Sequence, residues 1–279
     1  MLEPQLATHI DLNVTAALNE DIRNGDLTAQ LIPEHTQARA TVITRRQMVL
    51  CGTPWFGECL LRLDPDCKIQ WSAQEGELVK SGGRLCEVKG NARAMLTAER
   101  SALNFLQMLS ATATLTRRYV EAVAGTQAKI MDTRKTLPGL RIAQKYAVKV
   151  GGGHNQRIGL FDGVLIKENH IAAAGGISAV LEHAFRITPP GVSIQIEVES
   201  IAQLDQALEA GAKLILLDNF SLADMRNAVA HAAKRTELEA SGGITLENVR
   251  SVAETGVDRI SIGALTKDVL AADLSMRFR

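Results

Sequence analysis

The spacing of apolar and polar positions changes once along this chain, near Gly125. Before that point it reads as α+β. Helical spacing covers Ile10 to Glu20, with Leu12, Ala16 and Leu18 on one apolar face. A polar turn from Glu20 to Thr28 follows. Runs at Ala38–Arg45, Met48–Cys51, Cys67–Ser72 and Arg84–Lys89 predict strands, with turns at Glu75-Gly76 and Ser81-Gly82-Gly83. A helix is expected over Trp55–Arg62, and a long one over Ala94–Ala124 with Leu103, Leu106, Met108 and Leu109 at apolar positions. After Gly125, short apolar runs alternate with helical stretches. The runs are Ala128–Met131, Gly163–Ile166, Ser193–Val198, Lys213–Leu217, Leu238–Ala240 and Arg259–Ile262. Ile142–Val150, Ile177–Ile187, Ile201–Ala210, Leu222–Ala233 and Leu246–Thr255 lie between them. That grammar predicts parallel βα units.

About six such units fall short of a closed eight-fold barrel. The alternatives are an incomplete α/β barrel and an open doubly wound sheet. Each predicted strand ends in polar residues: Asp132-Thr133-Arg134-Lys135, Lys167-Glu168-Asn169-His170, Glu197 and Glu199, Asp218-Asn219, Ser241-Gly242-Gly243, and Gly263-Ala264. A barrel gathers all those ends on one rim, whereas an open sheet uses a single crevice. Six contributing ends favour the barrel, preceded by the α+β part.

Composition narrows the function. In 279 residues, Lys+Arg and Asp+Glu are both 31, so the formal net charge is zero and no basic stripe marks a nucleic-acid binder. Any strong positive field is therefore local. The cysteines, Cys51, Cys59, Cys67 and Cys86, show no zinc or C-x-x-C spacing and predict reduced thiols. The first fourteen residues lack the basic and apolar regions of a secretory leader, and no apolar run is long enough to cross a bilayer. A cytoplasmic protein is expected.

The candidate chemistry is a cation cluster. Arg134, Lys135, Arg157 and Lys167 fall at loop starts of one rim. Arginine forks match carboxylates or phosphates, and lysine acts as a mobile point charge. One strand-end arginine is ordinarily a solvated charge, but four cations at consecutive loops predict a small polyanionic ligand. Glu197 and Asp218 share the rim. They either neutralise the cations or hold Mg²⁺ or sugar hydroxyls. Ser241 to Gly243 and Ile262 to Ala264 follow the last two strands, where barrels commonly bind phosphate through backbone N–H groups. Gly151-Gly152-Gly153 has no dinucleotide-binding spacing. His154 is a candidate ligand contact.

Three motifs then carry a resemblance: D-T-R-K-T-x-P-G-L-R from Asp132, G-G-G-x-N-x-R-x-G-L from Gly151, and L-I-K-E-N-H from Leu165. With Ala98–Asn104, Glu197–Glu199, Leu217–Asn219, Ala240–Ile244 and Ser261–Thr266 they resemble the quinolinate phosphoribosyltransferase family over nearly the full chain. The resemblance implies a sandwich-like N-terminal domain (1–114), a barrel (115–270) and a tail (271–279) returning to the first domain. It implies a homodimer in which Arg100 enters the neighbouring pocket. It also implies transfer of phosphoribosyl from phosphoribosyl pyrophosphate to quinolinate, with loss of CO₂. On that pattern Arg100, Arg134 and Arg157 bind the quinolinate carboxylates. Thr133, Lys135 and Lys167 contact substrate, Glu197 and Asp218 hold ribose hydroxyls and Mg²⁺, and the two glycine turns cradle the 5′-phosphate. Gln156 stands where many members have histidine, so no histidine role is carried to it. The rival readings are a lyase using Lys135 or Lys167 as a Schiff base and a non-catalytic anion-binding protein.

Overall fold

The first amphipathic stretch folds as helix α1 (Pro4–Ile22) in the computed structural model, which describes residues 4–279; the first three residues of the stretch read for a leader lie outside it. The elements β1 (Gln37–Thr44), β2 (Met48–Val49), α2 (Thr53–Leu63), β3 (Lys68–Trp71), β4 (Leu78–Val79), β5 (Arg84–Asn91) and α3 (Ala92–Ala122) follow. The second half runs β6 (Lys129–Met131), α4 (Arg141–Val150), β7 (Gly163–Ile166), α5 (Glu168–Ala174), α6 (Ile177–Ile187) and β8 (Ser193–Val198). It continues through α7 (Ile201–Glu209), β9 (Leu214–Asp218), α8 (Leu222–Ala232), β10 (Glu237–Ser241), α9 (Val249–Ala253), β11 (Arg259–Ser261), α10 (Ala264–Lys267) and β12 (Leu274–Phe278).

The chain clusters into two compact units. The first comprises the residues through Arg117, Thr136–Gly152 and Thr266–Arg279; the second comprises Arg118–Lys135 and Gly153–Leu265. In the first, an antiparallel sheet in the order β12-β1-β5-β3 turns one face inward. Period-two burial puts Ala40, Val42 and Thr44 of β1 and Cys86 and Val88 of β5 on that face. Trp55, Phe56, Leu60, Leu106 and Leu109 pack in the same core, each full burial worth about 1.5–3 kcal/mol. α2 starts at Gly52, which has no side chain to cap it. The Glu75 carboxylate does so instead, accepting from Gly52 N at 2.7 Å, Thr53 N at 3.2 Å and Thr53 Oγ1 at 2.6 Å.

α4 departs from the pattern expected for the βα half. In chain order it fills the place of a barrel helix, yet it packs in the first unit. Ala143 and Ala147 join that core, the Tyr146 ring lies 5.4 Å from Trp55, and its hydroxyl donates to Glu75 at 3.0 Å. Gly151 explains part of the glycine run by packing: a Cβ there would lie 2.6 Å from Ala113 O and from Thr116 Cβ on α3.

The second unit holds six parallel strands in the order β6-β11-β10-β9-β8-β7. From β7 to β11 each strand sits beside its sequence neighbour, and β6 pairs with the last one. That is circular order without the reversal of a doubly wound sheet, so it is an incomplete barrel with its seam between β6 and β7. The segment after Gly153 borders that seam: His154 bridges Met131 of β6, with His154 N donating to Ile130 O at 2.8 Å. Among the described residues no helix is long and apolar enough to cross a membrane.

Candidate active site

Parallel pairing delivers the carboxyl ends of the six strands to one side, and those ends carry the polar residues. After β6, Thr133 Oγ1 accepts from Lys135 N at 3.1 Å, a local turn that starts the loop. Arg134 follows Asp132, whose side chain is fully buried. Its Nε is buried with no hydrogen-bond partner, a deficit of about 1–3 kcal/mol that a bound anion can relieve. Lys135 is exposed.

Arg157 lies near Arg134. Burial, and then the charge of Arg134, push its guanidinium below the ordinary arginine value, while Asp162 opposes them. Its Nη1 donates to Gly163 O at 2.9 Å, and a Cβ on Gly163 would lie 3.0 Å from Arg157 Cβ. Two like charges are thus kept together in a partly buried place, as an anion site requires. His154 reaches this region through its backbone, and its side chain is exposed.

Lys167 follows β7 and pairs with Glu197 of β8, Nζ to Oε2 at 2.8 Å, with the Glu197 side chain 10% exposed. Glu197 aligns with Leu216, so Asp218 lies two residues further along β9 on the same face. Among the described residues no group of three or more His, Cys, Asp or Glu side chains converges on a cation site. Glu197 is already engaged by Lys167. Such a donor set suits Mg²⁺ that arrives on substrate phosphates and takes one or two carboxylates or their waters.

Asp218 Oδ2 accepts from Asn219 Nδ2 at 2.8 Å, and Asn219 has φ +56°. The Ser241–Gly243 turn closes over it: Asn219 N donates to Ser241 O at 2.9 Å. Gly242, at φ +100°, has a packing reason to be glycine, since a Cβ there would lie 2.7 Å from Asn219 Cγ and 3.1 Å from its backbone N. At the end of β11, Ile262 is buried and its N donates to Met131 O at 3.0 Å, which takes that amide out of a phosphate cradle. Gly263 and Ala264, at the start of α10, remain. Arg100 is an exposed residue of α3 in the first unit.

Sequence reasoning missed a polar network inside the barrel. Glu239 of β10 is fully buried. It accepts from Gln156 Nε2, 2.6 Å from Oε1, and from Ser261 Oγ. Arg259 Nε lies 3.1 Å from Glu239 Oε2 as an ion pair whose angle falls outside hydrogen bonding. Gln195 Oε1 accepts from the same Gln156 amide at 3.3 Å. The available signal was period two: Glu237, Glu239, Ser241 and Arg259, Ser261 alternate with apolar residues.

Known proteins extend the geometry over the whole chain. The C-terminal domain of quinolinate phosphoribosyl transferase matches residues 112–277, and the N-terminal domain matches residues 26–110. The nicotinate-nucleotide pyrophosphorylase (carboxylating) of Mycobacterium leprae is 42% identical over 273 residues, covering 94% of this chain and 95% of that protein. A probable nicotinate-nucleotide pyrophosphorylase (carboxylating) of Bacillus subtilis is 40% identical over 257 residues, covering 92% and 89%. The solved nicotinate-nucleotide pyrophosphorylase from Francisella tularensis superposes with a TM-score of 0.94 at 45% identity, covering 98% of this chain and 96% of that one. The chain belongs to the quinolinate phosphoribosyltransferase family.

Proposed function

We propose that this chain transfers phosphoribosyl from phosphoribosyl pyrophosphate to quinolinate, with decarboxylation, in the synthesis of NAD. The products are nicotinate mononucleotide, pyrophosphate and CO₂. The observation that carries the reading is the Arg134–Arg157 pair, two guanidiniums held together with a buried donor unmet, within a chain of this family. A doubly charged pyridine answers that demand.

Arg134 and Arg157 take the two carboxylates, joined by Arg100 from a second copy in a homodimer. Lys135 and Lys167 face phosphate groups, with Thr133 and His154 as neighbouring contacts. Glu197, already held by Lys167, and Asp218 bind the ribose hydroxyls and would hold Mg²⁺ carried by the pyrophosphate. Ser241, Gly242 and Gly243 with Ile262, Gly263 and Ala264 surround the 5′-phosphate; the donors on the second turn come from Gly263 and Ala264. As the C1′–O bond to pyrophosphate breaks, positive charge develops at C1′ and the pyridine nitrogen attacks it. The quaternised nitrogen then stabilises the electron pair left at C2 when CO₂ departs, and a proton replaces it. Orientation and fixed charges supply the catalysis, with no covalent enzyme intermediate. Lys167, ion-paired with Glu197, is poorly placed to serve as a Schiff-base nucleophile. Four unpaired thiols fit a reducing cytoplasm.

The test is direct: purified protein with phosphoribosyl pyrophosphate and Mg²⁺, given quinolinate or nicotinate, with CO₂ and pyrophosphate measured. Both are released in equal amounts with quinolinate alone. Binding of quinolinate without either product would leave an anion-binding protein.

A further inference from the structure

The segment Gly153–Arg157 lies outside the strand ladder except at His154, yet it carries one of the two clustered arginines. Two buried carboxylates hold it. Asp132, at the end of β6, accepts from Asn155 Nδ2 at 2.6 Å and from Gln156 N at 2.8 Å, fixing the backbone to the strand. Glu239 accepts the Gln156 side-chain amide on both oxygens. It is itself held by Ser261 and Arg259 on the adjacent strand, where Glu239 and Arg259 are register partners. Arg157 is the next residue, anchored through Nη1 to Gly163 O.

The forces on this segment oppose one another. Arg134 repels Arg157, so an untethered loop would relax by moving Arg157 toward solvent. Asp132 holds the Asn155 side chain and the Gln156 backbone on the β6 side. Gln156 is the residue whose side chain runs inward to the barrel strands, and it ends on a carboxylate pinned by two neighbours.

We propose that Glu239 is a positioning residue: through the Gln156 amide it keeps Arg157 in the two-arginine cluster and so sets the grip on quinolinate. The inference rests on the function proposed above. Glu239 acts on substrate through Gln156 and Arg157.

Gln156→Leu removes the amide at similar size and leaves the Glu239–Arg259 pair in place. It raises KM for quinolinate about tenfold or more and leaves KM for phosphoribosyl pyrophosphate within about twofold. Glu239→Gln keeps one carbonyl acceptor and gives a smaller rise in the same constant. The double variant is no worse than Gln156→Leu alone, because no amide remains for residue 239 to hold. An unchanged quinolinate KM in folded Gln156→Leu overturns the proposal. So does an equal rise in both KM values, which marks general loosening of the barrel mouth. Should Glu239→Gln fail to fold, Gln156→Leu decides alone. Wild-type protein that releases no CO₂ from quinolinate refutes the proposed function instead, so the two failures are separable.

Discussion

Gly242→Ala tests whether the β10 turn sets the position of Asp218. Gly242 has φ +100°, where an L side chain is strained by about 2 kcal/mol. The new methyl would also run into the Asn219 amide and lie 3.1 Å from Asn219 N. The backbone cannot yield easily, because Asn219 N is bonded to Ser241 O at 2.9 Å within the register of β9 and β10. The side chain must swing instead, which breaks Asn219 Nδ2 to Asp218 Oδ2 and costs about 1 kcal/mol more. The sum, about 3 kcal/mol, lowers Tm by roughly 6–12 °C at 2–4 °C per kcal/mol. On the role proposed for Asp218, its release from the amide weakens the hold on ribose and magnesium, and KM for phosphoribosyl pyrophosphate rises about tenfold. Thermal melting and steady-state CO₂ release read the two effects. Gly243→Ala is the control for melting alone: at φ +60° with nothing within 4 Å of its Cβ, its stability loss is only the backbone term, roughly 1–2 kcal/mol. A Gly242→Ala protein that melts with wild type and keeps its KM refutes the reasoning.

Arg134→Ala lowers kcat/KM for quinolinate by about one to two orders of magnitude, the worth of one charge-assisted carboxylate contact. Its Tm is unchanged or higher, since a repulsion with Arg157 is removed; near-normal kcat/KM in that variant would remove the central assignment. If Arg100 acts on the neighbouring site, mixing the impaired Arg100→Ala and Arg134→Ala proteins after subunit exchange restores on the order of a quarter of wild-type activity, because half the dimers are mixed and each holds one intact site. No recovery places Arg100 outside the partner's pocket. Asp26 is held below its ordinary 3.8 by the Ala29 amide first and then by the Thr97 hydroxyl. A depressed folded value stabilises above the unfolded one, so the Tm gap between wild type and Asp26→Asn is full at neutral pH and narrows as pH falls below 3.8. A gap independent of pH contradicts the assigned contacts.

How much of this was legible in the sequence depends on what a pattern encodes. Strand and helix positions in the second unit follow from period and punctuation: Gly163–Ile166 and Ser193–Val198 are observed as read, and Ile177–Ile187 is a helix over those residues. The rim was legible because parallel strands deliver their carboxyl ends to one side. The two-residue strand Leu78–Val79 is too short to show a period; the return of the tail was expected only through resemblance, and that it forms the strand β12 was not read at all. α4 shows a deeper limit. Its amphipathic spacing states that Ala143 and Ala147 are buried, and says nothing of which core buries them.

The barrel interior carries the same lesson with opposite sign. Scanning for apolar runs treats Glu239 and Arg259 as interruptions of strands whose apolar residues matter. In a barrel the strands have two buried faces, and here the inward one carries a polar cluster beside apolar partners such as Leu216 and Met131. Glu239 is fully buried, and Arg259 at its register partner offsets a charge that alone would be prohibitive. An apolar filling would pack such an interior at least as stably. What the polar one adds is direction. An ion pair fixed across two strands presents carboxylate oxygens to the Gln156 amide, and the next residue is one of the arginines at the mouth. The glutamate that a hydropathy reading discards is therefore the link between the barrel's register and the chemistry on its rim.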